Sequence, residues 1–219
     1  MMLCPQLQRG WRGVLGVLAL GVVVACGDAA PAVVPATVQE TRGATFACRD
    51  TFPADLTGCP AATVNTAVVV NGGVHSGPGD TTLLMQTGKT RFRLLPSSSL
   101  RYVANSGLGV TFLLTAGRLF ADHDAAGGAL VIQSGNSAIS ALGTLFTVAT
   151  DNSGAVIVSV QGGTVAVEVP RGSQQIRNVT QGQGIQIPAG ATAPPLPRAM
   201  TPGELRLWQR IGPNLTLTP

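Results

Sequence analysis

Apolar and polar residues alternate most clearly in "AVIVSVQGGTVAVEV", residues 155–169. Valines at 156, 158 and 160, then at 165, 167 and 169, keep a period of two on either side of Gly162-Gly163. Such a period places alternate side chains on one face of a strand. The Gly pair can supply the positive φ angles of a two-residue turn. This predicts a hairpin in which Val160 faces Val165, Val158 faces Val167 and Val156 faces Val169. Six valines then share a buried face, with Ile157, Ser159, Gln161, Thr164, Ala166 and Glu168 on a mostly polar one. The preceding "LGTLFTVAT" extends the sheet, a loop over Asp151–Ala155 bringing Phe146 opposite Val160, Val148 opposite Val158 and Thr150 opposite Val156.

From residue 66 to 141 the chain breaks into short apolar runs separated by NGG, SGPGD, TGK, PSSS, NSG, TAG, DAAGG and SGN. Strands at such spacing predict an all-β sandwich, barrel or solenoid-like domain. One helix is expected, in "MTPGELRLWQRIGPN": Thr201 as N-cap, Pro202 at the first helical position and Glu204 three residues on form a capping box, and Gly212-Pro213 stop it. Leu205, Leu207, Trp208 and Ile211 would share its apolar side, with Arg206 and Arg210 opposite. Trp208 reads as core rather than as a sugar-stacking platform.

The start of the chain is organised differently. Arg9 and Arg12 precede an apolar run from Val14 to Ala25, too short to span a membrane and suited to a secretory signal. The run ends in Val23-Val24-Ala25-Cys26, which resembles the lipobox of bacterial lipoproteins. The resemblance implies removal of residues 1–25, acylation of Cys26 and lipid anchoring on the extracytoplasmic side of a membrane. Residues 26–44, small and Pro-spaced, read as a tether. Cys48 and Cys59 are then the remaining cysteines, and in an exported chain their pairing as a disulfide is expected to close a loop over 45–62.

Composition narrows the function classes. Of 219 residues, 45% are hydrophobic and 11% charged, with 28 Gly and 15 Pro, which suits short strands and tight turns. Without Arg9 and Arg12, 12 basic residues face 10 acidic ones, and there is no basic helix or aromatic–basic interleaving, so nucleic acid is not an expected partner.

The ordered runs are similar to a FecR-like domain. "GGVHSGPGDTTLLMQTGKTRFRLLPSSSLRYV" resembles its opening half and "LTAGRLFAD" its Gly-containing strand. Gly143, Thr144 and Phe146 match its "GT.F.V" motif. The stretch around Gly162 and Gly163 matches the following "V.V..G.V.V" pattern, and "VTQGQGIQI" its closing strand. The similarity spans residues 66–188. It implies an extracytoplasmic all-β domain without a catalytic centre, placed at 63–190; from their own composition and patterning, residues 191–200 read as a Pro-rich linker and 201–219 as the helix and tail. The best-known member of that family signals across the inner membrane to a sigma factor. Here 13 residues precede the apolar run, so direct sigma-factor contact is not expected.

Candidate chemistry is sparse. "TGKT" has Leu83 where a phosphate-binding loop needs Gly and reads as a hairpin turn. Asp122, His123 and Asp124 read as a solvated turn, with no metal site expected. "QSGNSA" lacks the closing Gly of a nucleophile elbow, and Glu168 has no acid partner in sequence. Neither an enzyme nor a cofactor is therefore expected. Lys89, Arg91 and Arg93 project from one face of a strand, either as an anionic-ligand face or as a charged edge that discourages strand pairing. The function expected is non-catalytic binding, sensing or envelope organisation, with an envelope glycan or envelope protein as partner. The alternatives are a regulator of transmembrane signalling through a protein partner, and a hydrolase with an unrecognised site.

Overall fold

A computed structural model of the chain describes residues 35–49, 58–79, 82–106, 109–170 and 175–211. The leader and Cys26 lie outside the described residues. The fold is all-β, with one helix, α1 (Pro202–Ile211), among the described residues.

Strands, numbered in chain order, form two sheets that share one long strand, β8 (Gly109–His123). The first sheet runs β3 (Ala67–Val68), β1 (Ala36–Arg42), β5 (Thr82–Thr87), β6 (Thr90–Leu94), the second half of β8, β11 (Thr144–Thr150), β12 (Val156–Gly162), β15 (Gln183–Ile187) and β16 (Arg198–Ala199). The second runs β2 (Thr45–Cys48), β4 (Gly73–Ser76), β7 (Ser98–Ser106), the first half of β8, β9 (Ala129–Ser134), β10 (Ser137–Ala141), β13 (Thr164–Glu168) and β14 (Ile176–Thr180). Among the described residues, pairing is antiparallel except between β8 and β9.

The change of sheet within β8 falls at Gly117. Ala116 still pairs with Ser99 of β7, whereas Gly117 pairs with Thr150 of β11. Gly117 has φ +82°, and a Cβ there would stand 2.3 Å from Ser98 Oγ and 2.6 Å from the Ser97 carbonyl oxygen. Only glycine meets both demands. The chain thus folds over a corner and returns, so β9 starts beside the beginning of β8, with Ala129 opposite Gly109.

Between the sheets lies one apolar core. Phe112 of β8 stacks on Tyr102 at 4.6 Å and meets the edge of Phe92 at 4.8 Å, and all three are fully buried. Phe146, Val148, Val156, Val158, Val160, Val165, Val167 and Val169 belong to the same core. The expected registers of Phe146 with Val160, Val148 with Val158 and Thr150 with Val156 are present.

The expected hairpin at Gly162-Gly163 is not. β12 pairs with β11 and β15, and β13 pairs with β10 and β14. Gly163, at φ +81°, turns the chain from one sheet to the other. The two valine rows therefore enter one core from opposite sheets instead of lying side by side. The alternation specified burial correctly but not the neighbour, because a corner and a hairpin leave the same valines facing inward.

Three expected segments also hold strands, the 191–200 linker among them, where β16 pairs with β15. Residues 36–42, expected within the tether, form β1, which pairs with β3 and β5. β2 lies inside the expected 45–62 loop, and its last residue, Cys48, is disulfide-bonded to Cys59 with the Cα atoms 4.9 Å apart. The "TGKT" stretch is a tight turn between β5 and β6, with Thr87 opposite Thr90. Among the described residues no helix is long and apolar enough to cross a membrane.

Candidate functional site

The helix begins where the sequence signals it. Glu204 donates its backbone N–H to Thr201 Oγ1 at 3.3 Å, and the Thr201 backbone N–H donates to Glu204 Oε2 at 2.6 Å, a reciprocal capping box. Trp208 is buried and meets Phe120 edge-on at 5.0 Å, in a small second cluster with Met200. Phe120 lies between Leu119 and Ala121, both in the main core, so it points to the opposite face. The helix consequently covers the outer face of the first sheet. Leu207 and Ile211 pack at its edge, but Leu205, assigned to the apolar side, is exposed at 43%.

Strand register explains what lies beneath the helix. One outward-facing row crosses the sheet as Phe120, Thr147, Ser159, Gly184 and Arg198. Ser159 is thus 1% exposed, although its face was expected to be polar and open. Its hydroxyl donates to Glu204 Oε1 at 2.6 Å. Arg198 Nη1 donates to Glu204 Oε2 at 2.8 Å and Nη2 to Oε1 at 3.2 Å, while Thr201 Oγ1 donates to Oε2 at 2.8 Å. One carboxylate therefore fastens the helix start to β12 and β16. Burial alone would raise its pKa, but the hydrogen bonds from Arg198, Ser159 and Thr201 outweigh burial and lower it from 4.5 to about 2. The same hydrogen bond raises Arg198, against the opposing effect of its burial.

The next outward-facing row, Arg118, Ala149, Ile157 and Gln186, is left beside the helix. Its Arg118, Ile157 and Gln186 floor a cleft of about 950 Å³ walled by Gly203, Arg206, Leu207, Gln209 and Arg210. A second opening of about 350 Å³, lined by Leu95, Pro96 and Asp151 among others, meets it at Arg118 and Ile157. Among the described residues, four arginines, 118, 198, 206 and 210, line the main cleft against one carboxylate, Glu204. Burial lowers the pKa of Arg118, and the charge of Glu204 opposes that shift. The guanidinium remains cationic at any ordinary pH. Chemically, the cleft offers cations beside apolar contact area.

The residues singled out from sequence lie elsewhere. Arg93 has Nη2 3.9 Å from Glu40 Oε2, and Arg91 stands in register with Asp122, so acidic residues flank two of the three cations in the Lys89, Arg91, Arg93 row. Lys89 is exposed at the β5–β6 turn. Gly143 (φ +72°) precedes β11, which opens with the buried Thr144 and holds the buried Phe146, a framework position. Asp124 is not simply solvated: its carboxylate accepts from Ala126 N and caps a short 3-10 turn. His123 is buried, its Nδ1 2.8 Å from Thr90 Oγ1 and its Nε2 2.8 Å from the Gly128 carbonyl oxygen. His75 pairs with Ser99 through Nδ1 at 2.7 Å, and burial lowers its pKa. Among the described residues, no three His, Cys, Asp or Glu side chains gather closely enough to hold a metal ion.

No protein-family model and no curated protein sequence matches the chain. Solved structures do. A candidate anti-sigma factor from Parabacteroides distasonis, in a crystal structure at 1.65 Å resolution, superposes with a TM-score of 0.52 at 16% identity, over 62% of this chain and 64% of that one. Another candidate anti-sigma factor structure from that organism, at 2.50 Å, gives 0.51 at 16% identity over 62% and 63%. The likeness is one of fold. In both cases this chain spans less than two thirds of its neighbour's length.

Proposed function

We propose that the chain is a non-catalytic, lipid-anchored extracytoplasmic β-domain of FecR-like type that binds an envelope partner through the cleft between α1 and the first sheet. The observation that carries this reading is the cleft itself, about 950 Å³ lined by four arginines around a helix fastened to the sheet through Glu204. Catalysis fits the site poorly. Its one carboxylate already accepts hydrogen bonds from Ser159, Arg198 and Thr201, and neither His75 nor His123 lines it. The lipid anchor rests on Val23-Val24-Ala25-Cys26, and the FecR-like assignment on the order of motifs from 66 to 188.

A photo-crosslinking amino acid at Gln209, in the cleft wall, tests the site in living cells against the same group at Gln133, exposed on the second sheet. The reading predicts a discrete adduct from Gln209 and none from Gln133. Equal adducts from both, or none from Gln209, would remove it. A second reading, regulation of transmembrane signalling through a protein partner, draws support from the fold shared with a candidate anti-sigma factor. It predicts that the Gln209 adduct contains a membrane signalling protein.

A further inference from the structure

Resting on the binding reading above, we propose that the cleft's ligand is an extended, carboxylate-bearing peptide segment of a partner, with Arg118 as its anchor. The floor row crosses four strands, from Arg118 on β8 through Ala149 and Ile157 to Gln186 on β15. With strands ~4.8 Å apart this is ~14 Å, the length of about four extended residues. Ile157 on the floor and Leu207 on the wall are apolar, Ala149 lies in the adjoining opening, and Arg118, Arg206 and Arg210 supply the cations at the end and along the wall. Such an arrangement accepts a chain whose apolar side chain lies on Ile157 and Leu207 while carboxylates reach the guanidinium groups.

Charge balance gives the sign of the ligand. Glu204 is committed to Arg198, Ser159 and Thr201, so among the described residues Arg118, Arg206 and Arg210 have no hydrogen-bonded acid in the cleft. Shape favours a peptide over a lipid surface. Arg206 and Arg210 are exposed at the rim, where a planar bilayer could touch them, but Arg118 lies at the floor beneath the helix wall, within reach of a narrow chain.

The test uses the full chain in neutral detergent and a fluorescein-labelled peptide alternating glutamate and leucine, followed by anisotropy, with a glutamine–leucine twin as comparison. The glutamate peptide should bind at least about tenfold more tightly than the twin, and Arg118→Gln should lower its affinity by about tenfold or more. Its binding should also weaken as salt rises. Lys89→Gln removes the same charge outside the cleft and should leave binding unchanged. Unchanged Trp208 emission in Arg118→Gln verifies that the helix is still seated, and Arg118→Lys provides a second variant if it is not. Equal binding of the two peptides, or indifference to both Arg118 variants, would overturn the proposal. So would a preference for micelles doped with phosphatidylglycerol over the peptide, which would reassign the cations to headgroups. If the Gln209 adduct persists while the glutamate peptide fails, the ligand class is wrong and the site stands. If both fail, the site reading falls as well.

Discussion

Ser159 of β12 donates a 2.6 Å hydrogen bond to Glu204 of α1, across 45 positions of sequence. This contact joins the framework to the candidate site. Its position on the reverse of the Val158 and Val160 row makes β12 buried on both faces, by the sandwich core on one side and the helix on the other.

Substitution of both faces should therefore be costly. Val158→Asp places a carboxylate in the apolar core and should lower stability by several kcal/mol, ~3 or more. Ser159→Asp sets a second carboxylate against Glu204 and should also be destabilising, whereas Ser159→Ala, which only removes the hydroxyl donor, should cost about 1–3 kcal/mol. Urea midpoints decide this. A Ser159→Asp midpoint equal to that of the wild type would mean that the helix does not sit on β12.

Glu204 predicts an acid-sensitive helix. Its folded pKa, about 2, lies below the ordinary 4.5, so its contribution is fully present above pH 4.5 and is lost as pH falls towards 2. Trp208 emission should shift towards that of a solvated indole across this window, because Trp208 is 4% exposed when seated. Glu204→Gln should weaken the seat already at neutral pH and flatten the titration. An unaltered titration in Glu204→Gln would assign the transition to other carboxyl groups.

Glycine substitutions separate corner from loop. Gly117→Ala brings a Cβ to 2.3 Å from Ser98 Oγ in addition to its unfavourable φ, while Gly154, at φ +85°, has open space where an added methyl group would stand. Gly154→Ala should cost only the backbone term, about 1 kcal/mol, and Gly117→Ala clearly more. Thermal midpoints measure both. Equal losses would mean that the β8 corner is looser than described.

How far these features were legible in the sequence depends on which physical constraint carries them. Burial of Val156, Val158, Val160, Val165, Val167 and Val169 follows from alternation and is observed. The β11–β12 register was legible too, since the 151–155 loop is short and Asp151 closes it by accepting from the Ser153 and Ala155 backbone N–H groups. Alternation is silent about which strand lies alongside, so the Gly163 corner reads as a hairpin. Strand β1 has weak patterning, with Val38 its one large apolar residue, and is held by pairing with β3 and β5. The capping box revealed Glu204, but not its second set of donors. Ser159 and Arg198 join it only through a row that crosses three strands, β12, β15 and β16. Arg118 was legible only as part of the "LTAGRLFAD" strand, because nothing local indicates that a helix ending at residue 211 will wall it in.

The lipid anchor makes a separate prediction. Cys26, behind Val23-Val24-Ala25, should incorporate palmitate, and Cys26→Ser should release the protein or leave its leader uncleaved. Metabolic labelling and membrane fractionation test this. Retention of processed Cys26→Ser at the wild-type level, with no acyl label in either protein, would contradict the anchor.

Whether α1 and the outer face of the first sheet form one binding surface is decided by hydrogen–deuterium exchange. The full chain is compared in detergent alone and in detergent-solubilised envelope membranes. Added protection is predicted in α1 (Pro202–Ile211) and β15 (Gln183–Ile187), with none in β9 (Ala129–Ser134) or β10 (Ser137–Ala141). Protection confined to β9 and β10, or no change in α1 and β15, would contradict it.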